Sequence, residues 1–229
     1  CFPPLSLALV GSLFPDFHAP IPSMIVIKID SDESATSKVT VEQGEAVSLE
    51  APGFKSCQFK TCYKTDVLPI NISEASFENA PFRGQLLDIE KEAKSVLKLT
   101  LKGASKEIEL SQLGFDSLRL FFNGQPQVSY RLLQLLLQSS IGMAVVVDDE
   151  TTRQLTPRHV SPVGYTDEFS VVPYSKRSFV GSRLLVEYFL FPEKFLFSDL
   201  ISLYPAWFGS DDEAEIWIYF DQSCDCLEK

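Results

Sequence analysis

Histidine and cysteine are scarce in this sequence, two of the first and five of the second among 229 residues, and their scarcity removes several chemistries at once. His18 and His159 form no His-x3–5-His pair, so the helical zinc-protease arrangement is absent. Cys57 and Cys62 stand five apart on an expected strand, an odd separation that sends the two sulfurs to opposite faces and away from a shared zinc. Cys224-Asp225-Cys226 lacks a second close pair to complete a metal site. Cysteines so spaced are not the framework of a small secreted disulfide domain, and reduced thiols are expected. Basic residues are also short, 20 against 31 acidic, for a net charge of −11. Divided after Gly114, the halves carry 11 basic with 15 acidic residues (−4) and 9 basic with 16 acidic (−7), so neither has a basic excess. Polyanions are held by clustered Lys and Arg, so this balance argues against DNA, RNA and anionic membrane surfaces as main partners. No apolar run approaches the roughly 20 residues that cross a bilayer. Phosphate-cradling glycine loops, the dinucleotide fingerprint and the G-x-S-x-G elbow are missing as well.

What is present is enough apolar material, 45% of the chain, to build a real core. Leu5, Leu9 and Leu13 fall four apart in a proline-bounded helix, and Ala19-Pro20-Ile21-Pro22 forces an extended entry. Met24–Ile29 reads as a buried strand. A period of two follows in Val39 and Val41, Val47 and Leu49, Phe59 and Tyr63, and Ile70 and Ile72. It is cleanest where Leu97, Leu99 and Leu101 alternate with Lys98, Thr100 and Lys102, the mark of a sheet with one wet face. Asp32–Ser37 and Phe82–Lys94 read as connections, the second with a helical turn. Leu118, Leu120 and Phe122 alternate before an Asn123-Gly124 turn. Pro126 then opens a helix to about Ser140, whose leucines at 132, 133, 135, 136 and 137 cover most of its circumference, with Gly142 as its left-handed cap. Met143–Val147 and Thr151–Leu155 are strands about an Asp148-Asp149 turn. An irregular stretch from Thr156 to Val180, with prolines 157, 162 and 173, leads to a helix capped by Ser182 and stopped by Pro192. Phe195–Phe197 and Ile216–Phe220 close the chain as strands. The expected fold class is α+β, dominated by strands, with one or two antiparallel β units and a few packed helices. The expected division is 1–22 for a helical end and Pro-rich entry, 23–112 for a β-rich domain and 113–229 for an α+β domain.

Candidate chemistry is thin. His159, with Ser161 and Asp167 nearby, has the residue types of a serine hydrolase, but a triad is a matter of spatial geometry. Trp207 and Trp217 are the types that stack on sugar, and also those that fill cores. The acidic runs Asp148-Asp149-Glu150 and Asp211-Asp212-Glu213 flank strands as solvated turns do. Asn71-Ile72-Ser73 matches a glycosylation sequon and has meaning only in a eukaryotic secretory setting. No catalytic residue, cofactor or metal is assigned, and a carbohydrate-binding or hydrolytic β-rich module is the competing reading.

The segment from Arg177-Ser178-Phe179 through Arg183-Leu184-Leu185-Val186-Glu187-Tyr188-Phe189-Leu190-Phe191-Pro192-Glu193-Lys194-Phe195-Leu196-Phe197 to Asp199-Leu200 resembles TssF, a baseplate protein of bacterial type VI secretion. Three further stretches agree in order: Leu13-Phe14-Pro15 with Ala19-Pro20-Ile21-Pro22-Ser23-Met24, then Cys57–Tyr63, then Leu118–Gly124. Val180-Gly181-Ser182 departs from the family, which often has a proline and an aromatic there. The resemblance implies an internal piece of a longer polypeptide, with Cys1 at a cut and not at a lipid anchor. It also implies a non-catalytic wedge component of a phage-like contractile tail, in the bacterial cytoplasm and docked near the inner membrane. The implied partners are TssG, a second TssF copy, TssE, TssK and the VgrG spike. The family motif, Arg177, Phe179, Glu187, Tyr188, Phe191, Pro192, Glu193, Lys194 and Phe195, is expected to be structural. Within it, Glu187, Glu193 and Lys194 are expected to pin the turn after the helix, above Phe191 and Phe195.

Overall fold

The structure, a computed structural model, describes residues 3–13, 20–32, 35–50, 52–53, 55–82, 88–106, 108–148, 150–172, 179–209 and 211–227. Of the positions singled out above, Cys1, Phe14, Pro15, His18, Ala19, Asp149, Pro173, Arg177 and Ser178 lie outside them. The helices are α1 (Pro3–Leu13), α2 (Pro126–Gln134) and α3 (Val180–Leu190). The strands are β1 (Val39–Val41), β2 (Ala46–Leu49), β3 (Cys57–Lys60), β4 (Thr65–Val67), β5 (Ile70–Asn79), β6 (Ser95–Gly103), β7 (Ser117–Phe121), β8 (Ser140–Val147), β9 (Glu150–Leu155), β10 (Val160–Pro162), β11 (Phe197–Ile201) and β12 (Glu213–Phe220). Among the described residues every strand pairing is antiparallel, an α+β fold in which strands dominate. Two compact units interleave along the sequence. Unit 1 takes Cys1–Lys28, Glu42–Tyr63 and Val163–Phe195, and unit 2 takes Ile29–Val41, Lys64–Pro162 and Leu196–Lys229.

Unit 2 is built on a five-stranded sheet in the order β5-β6-β12-β8-β9. Odd positions of β6 and β8 and even positions of β12 enter the main core, among them Leu97, Leu99, Leu101, Met143, Val145, Ile216 and Ile218. The opposite face is partly dry too, since Val96, Ala144, Val146 and Tyr219 cluster there with Phe82, Ile89 and Ile141 packed against them. A strand covered on both faces becomes a continuous apolar run, as β8 is. This second cover corrects the expectation of one wet face: Thr100 is buried, while Lys98 and Lys102 reach across strands to Glu78 at 2.9 Å and Glu213 at 2.8 Å.

α2 starts with Pro126 at its first position, as expected, and runs into one π-helical turn, Leu135–Ser139. Leu133, Leu135 and Leu136 are buried in the core. Gly142 is not a helix cap: Ser140 is already extended, and Gly142 lies inside β8 beneath Ile89, whose Cδ1 an added Cβ would meet. A second sheet, β10-β11-β7, meets the same core through Leu118, Leu120 and Leu200. Its cross-strand pairs are Arg119 with Asp199, a two-pronged ion pair at 2.8 Å, and Phe121 with Phe197, ring centroids 4.5 Å apart. β10 places Pro162 on an edge, where a missing N–H is tolerated. The stretch after Thr156 is thus less irregular than its prolines imply, with 3-10 turns at Pro157–His159 and Asp167–Phe169 as well. Phe195 ends a 3-10 turn, and the strand begins only at Phe197. β1 and β4 form a separate ribbon, closed by a 2.6 Å hydrogen bond from Thr40 to Asp66.

Unit 1 holds α1, the β2–β3 hairpin, α3 and the 3-10 turn Pro192–Phe195. α1 is apolar on every side and exposes Leu5, Leu7, Leu9 and Leu13. The run Met24–Ile29 is not a buried strand: it pairs with no strand among the described residues, and Ile25, Ile27 and Ile29 are exposed. Alternating apolar residues favour extended backbone, but burial also needs a neighbour to supply the ladder. Cys62 lies past the end of β3, so the two-face argument for it and Cys57 does not hold. Ser182 is inside α3, which begins at Val180 with Phe179 at the N-cap, and Pro192 stops the helix two residues after Leu190.

Candidate functional site

Arg183 and Glu187 are one turn apart on the otherwise apolar α3, and both are buried. Lys194 comes back from the 3-10 turn beyond Pro192 to bond the Glu187 carboxylate through Nζ and Oε2, with side chains only 1% and 0% exposed. The other carboxylate oxygen, Oε1, accepts the backbone N–H groups of Val171 at 3.0 Å and Val172 at 3.3 Å. Both oxygens are therefore engaged, the condition under which a buried charge is held without a large desolvation loss. Gly164, at φ +100, lets the chain pass flat against Lys194, where an added Cβ would stand 3.1 Å from the Lys194 carbonyl. Phe195 packs on Tyr165 and Tyr188, ring centroids 5.1 and 5.9 Å away. Phe191 is half-buried at the helix end, its N–H donating to the Glu187 carbonyl at 2.8 Å.

Burial draws the Lys194 ammonium below its ordinary lysine value, and the Glu187 carboxylate opposes that fall by hydrogen bond and charge. Cys62 is half-buried in the same electrostatic surroundings; burial first, and then the Glu187 charge, push its thiol up. Arg183 pairs through Nη1 with the exposed Asp167 at 2.8 Å, while its buried Nε and Nη2 meet no acceptor among the described residues. Glu193 is exposed, with no side-chain partner among the described residues. Phe179 is also exposed, at 73%.

The other side of α3 is open. Leu185, Val186, Tyr188, Phe189 and Leu190 are all exposed, Phe189 at 79%, and together they sweep about half of the helix circumference. An apolar helix face of this width marks an interaction surface, since a solvated helix carries polar residues there.

The model of the family described as "Type VI secretion system, TssF" matches residues 1–229. The chain belongs to the TssF family. It is similar to the type VI secretion system component TssF1 of Pseudomonas aeruginosa, 29% identical over 210 residues, which are 88% of this chain and 34% of that one. It is similar in fold, with a TM-score of 0.80 and 22% identity, to a chain in the cryo-electron microscopy structure of the type VI secretion system TssK-TssF-TssG baseplate subcomplex, covering 98% of this chain and 41% of that one. The chain thus spans well under half the length of either relative.

In this TssF-family chain His159, Asp167, Trp207 and Trp217, open above to a hydrolase or sugar-binding reading, have other neighbours, and Ser161 lies in β10 with its carbonyl accepting from Ser198 Oγ at 3.1 Å. His159 Nδ1 lies 2.8 Å from the Ile201 carbonyl, which makes that nitrogen the N–H donor. Asp167 is the partner of Arg183. Trp207 is flanked by Tyr204, His159 and the Arg153 guanidinium, and Trp217 by Lys98 and Tyr219. No group of three or more His, Cys, Asp or Glu among the described residues is placed to hold a metal. The sequence reading missed Arg183 and the amides of 171 and 172. Two opposite charges four apart in an apolar helix were a signal for the first, whereas backbone donors leave no trace in residue type.

Proposed function

We propose that this chain is part of a structural baseplate subunit of the type VI secretion system, a non-enzymatic wedge component that couples sheath and tail assembly to the spike through protein–protein contacts. The observation that carries this reading is the open apolar face of α3, beside a motif in which Glu187 and Lys194 are bonded to each other and Glu187 to the backbone of 171 and 172. The family and the TssK-TssF-TssG likeness support TssG and TssK as partners. TssE, the VgrG spike and a second TssF copy follow from the family resemblance, as does a cytoplasmic position docked near the inner membrane. No described helix is long and apolar enough to cross a membrane. The structural role of the motif belongs to the same proposal: Glu187 and Lys194 lock the turn, with Phe195 beneath.

Co-expression with TssG and TssK from one genome tests the reading. Tagged TssG should retain the chain through purification, and Leu185→Asp with Phe189→Asp should reduce retention at least tenfold while the circular dichroism spectrum stays unchanged. Full retention by that variant would remove α3 as a contact face, and no retention of the parent chain would sink the partner assignment.

A further inference from the structure

The turn after β12 brings the Sγ atoms of Cys224 and Cys226 to 2.8 Å, in no disulfide. Cys224 is buried at the edge of the main core, and its N–H donates to Asn79 Oδ1 at 3.1 Å. The Leu227 N–H returns to the Cys224 carbonyl at 3.2 Å, and Leu227 packs against the core. Cys226 is exposed, so the pair has one anchored sulfur and one open to solvent. Arg131 of α2 presents its guanidinium to the Cys224 sulfur and to Gln222, whose Oε1 is 3.4 Å from Nη2. Burial alone would push the Cys224 thiol up, but hydrogen bonds from Cys226 and Arg131 outweigh it and leave the thiol below its ordinary value. Cys226, donating its S–H to Cys224, moves the other way. This is the arrangement of an attacking thiolate beside a resolving thiol.

We infer that Cys224 and Cys226 form a peroxide-reactive dithiol that closes to an intramolecular disulfide. The Cys224 thiolate attacks one oxygen of hydrogen peroxide: an S–O bond forms, the O–O bond breaks, and hydroxide leaves and is protonated to water. The Cys226 sulfur then attacks the sulfenic sulfur: the S–S bond forms, the S–O bond breaks, and a second water leaves with the Cys226 proton. Two thiols and one peroxide give one disulfide and two waters, with two electrons passing from sulfur to oxygen. Closure from 2.8 Å to the ordinary bond length of about 2.0 Å requires a movement under about 1 Å. A ring spanning the single residue Asp225 is tightly constrained, which places it among disulfides that thiols readily reopen.

The reduced chain is titrated with hydrogen peroxide at pH 7, alkylated and read by mass spectrometry, with the exposed Cys57 as internal reference. The peptide containing Cys224 and Cys226 should lose two hydrogens and resist alkylation at doses that leave Cys57 free, and dithiothreitol should restore it. Arg131→Gln should slow closure about threefold to tenfold. In Cys226→Ser, dimedone should trap a sulfenic acid on Cys224 ahead of Cys57. Equal oxidation of Cys57 and Cys226 without a link, or closure as fast in urea as in the folded chain, overturns the inference.

Discussion

Unit 2 buries its apolar side chains in a large core, with Phe77 of β5 and Phe220 of β12 among its members, and in a smaller cluster on the other face of the sheet, whereas unit 1 buries few and shows many. Among the described residues of unit 1, only Val163, Val172 and Phe195 are fully covered apolar side chains, while Leu5, Leu9, Ile25, Ile27, Leu185 and Phe189 are exposed. What occupies the interior of unit 1 is a charge pair. Hydrophobic burial is non-directional, so unit 2 holds its shape by itself; unit 1 depends on a few directional bonds and leaves its apolar faces for something else to cover.

The comparison predicts a ranked set of effects. The largest is Lys194→Met, which strands the buried Glu187 carboxylate and should cost about 3–5 kcal/mol in unit 1. Hydrogen exchange at Val171 and Val172 should accelerate while β12 amides stay protected, and adding Glu187→Leu should recover only part of the loss, because the Val171 and Val172 N–H groups then lose their acceptor. Unchanged protection at 171 and 172 would mean the pair holds nothing. Next, Ile218→Ala in unit 2 should cost about 2–4 kcal/mol in urea unfolding through a cavity the sheet cannot close. Gly142→Ala comes third, at about 1–2 kcal/mol, because its methyl displaces the end of Ile89 and stands 3.2 Å from the Leu155 carbonyl.

Smaller still is an alkaline effect. Burial first, then the hydrogen bond to Glu90, raise the Tyr219 hydroxyl far above its ordinary 10.0. The folded chain then keeps a proton that the unfolded chain releases, so this contribution is complete below pH 10 and is lost as pH rises beyond it. Unit 2 should weaken by about 1 kcal/mol between pH 10 and 11, and Tyr219→Phe should flatten that slope. Least of all, Leu185→Gln and Phe189→Ser should change the stability of the chain by under about 0.5 kcal/mol, since both side chains are mostly in solvent and Phe189 gives up only an edge contact with Tyr188. A large loss there would show that the α3 face is internally packed.

Legibility followed the same divide. β6 and the start of α2 at Pro126 were readable because alternation and proline act locally, and the partner strands only reinforce them. Met24–Ile29 misled because an apolar extended run says nothing about whether a ladder partner exists. Gly142 misled because a π turn delivers the helix straight into β8, while glycine after a leucine-rich helix has the pattern of a cap. In the site, Glu187 and Lys194 stood out as motif residues, but their shared burial depends on where 171 and 172 run, and that was not encoded within the motif.

The π turn has a mechanical corollary. α2 passes into β8 with no loop between them, and β8 is an inner strand bonded on both sides to β12 and β9. The first residues of β8 are held by β12 alone, across a register shift at Tyr219 and Phe220, and β9 joins only from Met143. A tug or twist applied to the helix therefore passes through one irregular step and then straight into an inner strand.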